Sequence, residues 1–600
     1  MTSEAAPSDR SGLLLIPLAA FVAVLPLILH GCSCGHDFDF HLLNWMEAAR
    51  QFSQGNLHPH WAFSPAFNAG EPRFVFYPPL SWYLGALLGL LLTHLPGVTQ
   101  AAAWTATPIL LTWIALAASG LTMYRLARTY GSQNAALLAA TLYLANPYML
   151  FVAYERTAYA ELLAAAWIPL LFSAILAEKV TTPRIALPVA LLWLTNVPAA
   201  IIGSYALALL GAIRVVLGQR KDAAGALQLA LRTIAGTALG LALAAFYIIP
   251  AAYERRWVQI AMATIADLRI DHNFLFERTG YSPDNLLHDQ VLHTASLIAV
   301  ILLTGAAIAL VAIWRATKPS APRLAADTWE SRPRTSFPVL PLAILTTGIA
   351  FLLTPLSAPI WNHAPEASFL QFPWRLLVMI APVFALALAY ALIERPGAAS
   401  FALLRKVGRM KFVAQATAVL LATTLTFPAY DLFRQTCDPA DTAPARLAVF
   451  QSNGGTDPTD EYTPVPADNE ILKLNNPSYW LADSPDAPAP PTIAPGPAPT
   501  HLILAASRAQ DLILNLREYP AWRITVNGVP APHPAQRPDG LVVIPISAGP
   551  STIDIRYAQA FDQTLGYTVT LIALALFLVT LHIERCPGSR RSAAPIAKSG

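Results

Sequence analysis

The segment Gly35-His36-Asp37-Phe38-Asp39-Phe40-His41 puts two carboxylates and two imidazoles directly after an apolar run, Leu13 to His30. Charged groups at the mouth of a membrane are costly unless they serve a site or a pathway. The Asp-x-Asp spacing of Asp37 and Asp39 is of a type that holds a divalent cation, or a phosphate-bearing donor through one. The rival role is structural. His41 to Ser53 carries Leu42, Trp45, Met46, Ala49 and Phe52 at helical spacing, which predicts an amphipathic surface helix. An aspartate at its start suits a helix N-terminus, so Asp39 has capping as its alternative.

Other charged residues stand beside apolar runs. Glu161 closes the stretch Tyr154-Glu155-Arg156-Thr157-Ala158-Tyr159-Ala160-Glu161 and opens an apolar helix. It is either a carboxylate favoured by the helix dipole or a second acid of a site, with Arg156 as its ion partner. Arg255 and Arg256 follow the helix that ends at Pro250, and Arg375 follows Phe372-Pro373-Trp374 at the start of another. Such arginines either snorkel to lipid phosphate or bind the phosphate of a lipid-linked substrate, for which the guanidinium fork is suited. The first loop adds His58, His60, Glu71, Arg73, Tyr77 and several tryptophans, as expected of a segment at a membrane interface. Its histidines lack the spacing of a zinc site and read as aromatic-lined surface residues.

The elements that must position these groups are membrane helices. Of 600 residues, 55% are hydrophobic and 12% charged, with a mean hydropathy of +0.47. The apolar residues come in runs of about 20, as transmembrane helices require. Net charge is +3, and no nucleic-acid partner is expected. After Leu13 to His30, spans are expected at 101–124, 134–152, 161–177, 184–196, 198–217, 227–250, 292–314, 338–356, 371–394, 412–430 and 563–583. The stretch 79–95 is read as a helix lying at or dipping into the outer surface. About twelve spans then place the Lys/Arg-rich connections and both termini in the cytoplasm. The pair joined at Asn196-Val197-Pro198 reads as a broken or partly penetrating hairpin. The first span has one arginine before it and no small-x-small cleavage pattern after it, so it is expected to stay as a helix.

This topology divides the chain into a helical region, 1–430, that includes an outer loop at 32–100; an extracytoplasmic region, 431–562; and a final helix with its tail, 563–600. A Pro/Ala linker at 484–500 precedes strand-like runs His501 to Ala505, Leu512 to Leu516, Trp522 to Val526, Leu541 to Ile546 and Thr552 to Tyr557. Their turn signals predict a small β-sandwich over the outer face of the bundle. Four cysteines show no metal-ligand spacing, and Cys32 or Cys34 can pair with Cys437 if both face an oxidising compartment.

A first helix, an Asp-x-Asp-like motif, surface helices and Tyr77-Pro78-Pro79-Leu80 together resemble the GT-C superfamily of integral membrane glycosyltransferases. More narrowly, the chain resembles bacterial membrane proteins labelled 6-pyruvoyl-tetrahydropterin-synthase-related. That resemblance rests on His36-Asp37-x-x-x-His41, Gly55 to Trp61, Phe76 to Leu80, Asn146-Pro147-Tyr148, Arg156 to Glu161, and Gln371 to Arg375. Tyr519 to Gly528, continued through Pro545 to Tyr557, resembles the outer β-domain of YfhO-like membrane proteins. The pterin label finds no support, because no zinc-histidine enzyme domain is visible.

The superfamily resemblance implies glycosyl transfer from a polyprenyl-phosphate sugar to a glycan, lipid or protein acceptor, on the outer face of a bacterial inner membrane. Asp37 or Asp39 would be the general base. The other acid, with Glu161, would orient the acceptor or hold Mg²⁺ or Mn²⁺. Arg375, with Arg255 or Arg256, would neutralise the leaving phosphate, and His36, His41, Arg73, Tyr77, Arg156 and Trp374 would contact substrate. The rival functions are a lipid or polysaccharide transporter, which would put its charges at the bilayer midplane, and a non-catalytic cell-envelope assembly protein that binds glycan.

Overall fold

The computed structural model describes residues 10–585, apart from 221, 266–267, 279, 281–282, 318–335, 365, 395–410, 493 and 533–535. Both termini and most of the basic connections expected at 315–334 and 395–411 lie outside the described residues.

Among the described residues, eight helices are long and apolar enough to cross a membrane, or nine if Val339–Leu352 and Pro355–His363, bent by 95°, form one span. The chain is a multi-pass membrane protein. The number is below the expected twelve because Tyr159–Ile175 and Thr182–Thr195 are short helices of the 10–17 residue class, under the ~20 residues a span needs. In addition, the run at 338–356 counts only together with the helix after its bend, and the run expected at 412–430, in helix Lys411–Phe433, is not among the helices counted. Pro79–Thr93 is equally short, in keeping with its reading as less than a full span. The breaks have local causes. Asn196 leaves helical geometry and its side chain accepts from Ala199 N at 2.9 Å, starting Val197–Gln219 afresh with Pro198 in the first turn. Asn146 starts Pro147–Phe151 in the same way.

The expected surface helix is present as Phe38–Ser53, but it is not at the surface. His41, Asn44, Trp45, Glu47, Ala48 and Gln51 are all buried in it. It is sandwiched between Pro79–Thr93 and Ala443–Gln451, with Trp45, Trp82 and Leu447 in one apolar cluster. Its polar residues bond internally: Glu47 accepts from Gln51 at 2.9 Å and from the Ser64 hydroxyl at 2.6 Å. A one-sided apolar pattern shows that one face is covered, and it is silent on what a distant segment lays over the other.

The C-terminal domain is an antiparallel β-sandwich. Its strands are β1 (Tyr479–Ala482), β2 (His501–Ala506), β3 (Gln510–Arg517), β4 (Trp522–Val526), β5 (Val529–Pro530), β6 (Leu541–Ile546) and β7 (Gly549–Tyr557). One sheet has the order β1-β3-β6 and the other β2-β7-β4-β5. Asn527 and Gly528, at φ 52° and 79°, make the tight β4–β5 turn. The Pro/Ala stretch is not a linker ahead of the domain. With β1 before it, it is a crossover inside the sandwich, tied down where Asn515 Nδ2 donates to Gly496 O at 2.9 Å.

Two cross-links bind the N-terminal loop to the region before the sandwich. Cys34 and Cys437 form a disulfide across 403 residues of sequence, leaving Cys32 free. Arg73, buried, donates to Glu71 at 2.6 Å, Asn44 at 2.8 Å and the Thr459 hydroxyl at 2.7 Å. First loop, helix ends and C-terminal domain are thereby gathered at one end of the bundle.

Candidate functional site

A cavity of about 570 Å³ opens at that end. Its floor comes from helix ends near Arg156, Asn196 and Arg375, one wall from the first loop at His36–His41 and Phe76–Pro78, and its roof from Thr459–Tyr462.

Asp37 reaches the cavity because the backbone before it comes very close to the turn after Val152–Arg156. A Cβ on Gly35 would stand 2.2 Å from Glu155 O, so only glycine fits. Asp37 N then donates to Arg156 O at 3.0 Å, and Ser33 Oγ donates to Tyr154 O at 2.6 Å. The partner turn is itself unusual: a π-helical turn ends at Thr157, held at φ 49°. Such bulges and left-handed non-glycine residues concentrate at functional sites.

Within the cavity the charges form a chain. Arg156 Nη2 stands 3.5 Å from Asp37 Oδ2, and its Nη1 donates to Glu161 Oε2 at 2.6 Å. The same guanidinium lies 4.9 Å over the Trp374 ring. Glu161 also accepts from the Tyr148 hydroxyl and has Arg375 Nε at 3.8 Å. Arg375 Nη1 donates to Leu370 O at 3.1 Å and Gln371 Oε1 at 3.2 Å, while its buried Nε makes no hydrogen bond among the described residues. Burial alone would raise the Asp37 carboxyl, but the His36 imidazole bonded at 2.9 Å and the charge of Arg156 hold it well below the usual carboxylate range. Asp37 is therefore ionised. Burial lowers His41 to about 4, leaving a neutral ring with Nε2 at 3.5 Å from the Tyr77 hydroxyl.

Eight of the residues singled out from the sequence line this cavity: His36, Asp37, His41, Tyr77, Arg156, Glu161, Arg255 and Arg375. Four do not. Asp39 is two residues from Asp37, so on the helix it turns away. Its side chain bonds its neighbour's Phe40 N at 2.8 Å and stands 3.5 Å from Arg446, half exposed. Asp37 occupies the cap position yet makes no side-chain cap bond, so the cap role falls to neither as drawn from the sequence. Arg73 has all three guanidinium nitrogens bonded in the cross-link to Glu71, Asn44 and Thr459 and is not part of the cavity lining. Arg256 points to the other side of its short helical turn, over the Tyr253 ring at 3.9 Å. Trp374 is a buried support for Arg156 rather than a wall. His41 is buried rather than a surface histidine.

The expected metal pair fails the same test. Asp37 and Asp39 face different neighbours, and among the described residues no three His, Cys, Asp or Glu side chains converge on one point. Glu161 has its oxygens taken by Tyr148, Arg156 and Arg375. The positive charges facing these acids belong to the arginines, so the residues do not fit a shared cation at Asp37 and Asp39.

Several lining residues carried no signal of their own. Glu461 and Tyr462 reach the cavity because the C-terminal domain docks there, with Tyr462 stacked on Phe76 at 5.7 Å. Tyr247, whose hydroxyl donates to Phe76 O at 2.7 Å, and Glu366, paired with Arg255 at 3.1 Å, were also unmarked. Tyr148 lay in the motif Asn146-Pro147-Tyr148, which hinted at importance without a role.

The chain matches no protein-family model and no curated protein. Among solved structures it is similar to the oligosaccharyltransferase of Archaeoglobus fulgidus in its apo form, at 19% identity and a TM-score of 0.34, over 73% of this chain and 56% of that one. The same archaeal enzyme, AglB, in complex with an inhibitory peptide and a dolichol-phosphate matches at 18% identity and a TM-score of 0.34, over 73% and 56%. Its complex with Zn and sulfate matches at 17% identity and 0.34, over 72% and 53%. This chain thus spans little more than half the length of the solved chains it matches, and at such scores the chemistry has to rest on its own residues.

Proposed function

We propose that the cavity transfers a sugar from a polyprenyl-phosphate donor to an acceptor hydroxyl, with the cavity and the C-terminal domain on the outer face of a bacterial inner membrane. The observation that carries this reading is the juxtaposition of an ionised Asp37 with two buried arginines, one of which keeps a donor free of hydrogen bonds. A base and an anion-stabilising group on one cavity wall are the two parts that glycosyl transfer from a phosphate leaving group requires.

In this mechanism the acceptor hydroxyl oxygen attacks the anomeric carbon as the bond from that carbon to the phosphate oxygen breaks. The electron pair of that bond leaves with the polyprenyl phosphate, whose new charge is met by the Arg375 guanidinium and, at the cavity mouth, by Arg255. The hydroxyl proton passes to Asp37. A carboxylate held well below its ordinary pKa is a weak base, so the proton moves late, once the ring carries oxocarbenium character and the hydroxyl has become acidic. Glu161 positions Arg156 and Arg375 and takes no proton. The lipid tail lies among the apolar helices while the sugar phosphate occupies the cavity.

The test is transfer from a radiolabelled polyprenyl-phosphate hexose in proteoliposomes. Asp37→Asn and Arg375→Ala are each expected to lower transfer by about 10²–10³-fold, the usual cost of losing a positioned base or an anion-binding donor, with unchanged melting. Transfer surviving both substitutions, or donor lipid crossing the bilayer without a new glycosidic bond, would sink the reading.

A further inference from the structure

A second cleft, of about 530 Å³, lies at the open end of the sandwich where the β3–β4 connection crosses from one sheet to the other. We infer that this cleft is a binding site for an oligosaccharide and holds the non-reacting part of the acceptor glycan. The role as acceptor subsite rests on the function proposed above; the binding itself does not.

Only one wall separates cleft and cavity. It consists of two chain segments, 255–260 and 461–466, joined where Gln259 N donates to Thr463 O at 2.9 Å and Val465 N to Trp257 O at 3.0 Å. Consecutive residues face opposite sides of it: Arg255 and Tyr462 line the cavity, whereas Arg256, Trp257 and Pro464 line the cleft. A chain of sugars bound in the cleft therefore lies beside the cavity that holds the reacting end.

The lining matches sugar chemistry. A pyranose has apolar C–H faces and a rim of hydroxyls that both donate and accept, so it is held by aromatic faces with planar polar groups around them. Trp257 and Trp522 supply the faces, backed by the buried Tyr519, and Arg256, Glu518 and Arg523 supply donors and acceptors of both signs. The aromatics are fixed in advance: Trp257 meets Tyr519 edge-on at 5.5 Å, and Trp522 meets Tyr557 at 5.2 Å. An extended peptide that adds a strand is disfavoured here, because β4 is already paired on both sides, by β7 and by β5.

The experiment is calorimetric titration of the full-length protein in detergent with maltohexaose, cellohexaose, chitohexaose and an octaproline peptide. At least one hexasaccharide should bind, and the affinity should fall about tenfold or more, some 1.4 kcal/mol, in Trp257→Ala and in the surface double variant E518Q/R523A. Arg375→Ala should bind as the wild type does, since the site is separate from the cavity. The double variant tests the cleft even if Trp257→Ala does not fold. No binding of any hexasaccharide, binding unchanged in the double variant, or binding of the octaproline alone would overturn the inference. Hexasaccharide binding by a wild-type protein that shows no transfer would count against the proposed function and spare the cleft.

Discussion

Two clusters of buried arginine and carboxylate lie in and around the same first loop, and they are built to opposite ends. In the cross-link, Arg73 meets Glu71, Asn44 and Thr459, its ring partner Phe40 lies 4.8 Å from the guanidinium, and each of its three nitrogens is bonded. In the cavity, Asp37, Arg156, Glu161 and Arg375 form a similar chain, but Arg375 Nε lacks a hydrogen bond and Asp37 borders open space. A closed set of charges holds parts of the fold together, because breaking one member strands the others away from water. An open set has capacity for a ligand. Satisfaction of the donors, and not burial or charge, separates the structural cluster from the candidate site.

The largest effect that would test this contrast is on folding. Arg73→Ala should destabilise the protein by about 3–5 kcal/mol, the cost of leaving a buried carboxylate such as Glu71 unpaired, read as a lowered melting temperature in detergent. A well-folded Arg73→Ala protein that is dead in transfer would reverse the assignment of the two clusters.

A third buried acid sharpens the comparison by titrating. Glu254 is fully buried between helix and sandwich, accepts from the Tyr519 hydroxyl and from Gln563 Nε2 at 3.1 Å, and is pushed up by burial to about 7. Its folded pKa lies above its unfolded value, so the folded form prefers the proton. Stability from this group is greatest below the unfolded pKa near 4.5 and declines up to about 7. Relative to the wild type, the melting temperature of Glu254→Gln should therefore rise between pH 4.5 and 7 and hold level above that. A difference independent of pH would show that Glu254 carries no such proton.

The smallest effect is expected at Asp39. Half exposed and facing Arg446, it should tolerate Asp39→Ala within about 0.5 kcal/mol in stability, as exposed positions do, with transfer close to wild type. Loss of transfer comparable to that of Asp37→Asn would place both acids in the site.

Much was legible beforehand. The apolar runs marked the membrane helices, Asn196 marked a break, the turn residues marked five of the seven strands, and Asp37, Glu161 and Arg375 stood out as charges beside apolar helices. What went astray followed from the reach of local patterns. Arg73 and Arg375 look alike in sequence, since each is an arginine near aromatics at a helix end. Only the partners brought from Asn44 and Thr459 close one of them. The Pro/Ala stretch read as a linker because nothing local shows that β1 before it joins the later strands.

The amino-acid sequence by itself determined the membrane class, the position of the sandwich and the set of candidate charges, because hydropathy, turn chemistry and charge are properties of neighbours in the chain. The tertiary structure alone decided which aspartate faces the cavity, which arginine is spent, and that Glu461 and Tyr462 form its roof. Those outcomes depend on hydrogen bonds and packing between segments hundreds of residues apart, such as Cys34 with Cys437 and Arg73 with Thr459. No window along the chain contains both halves of such a contact.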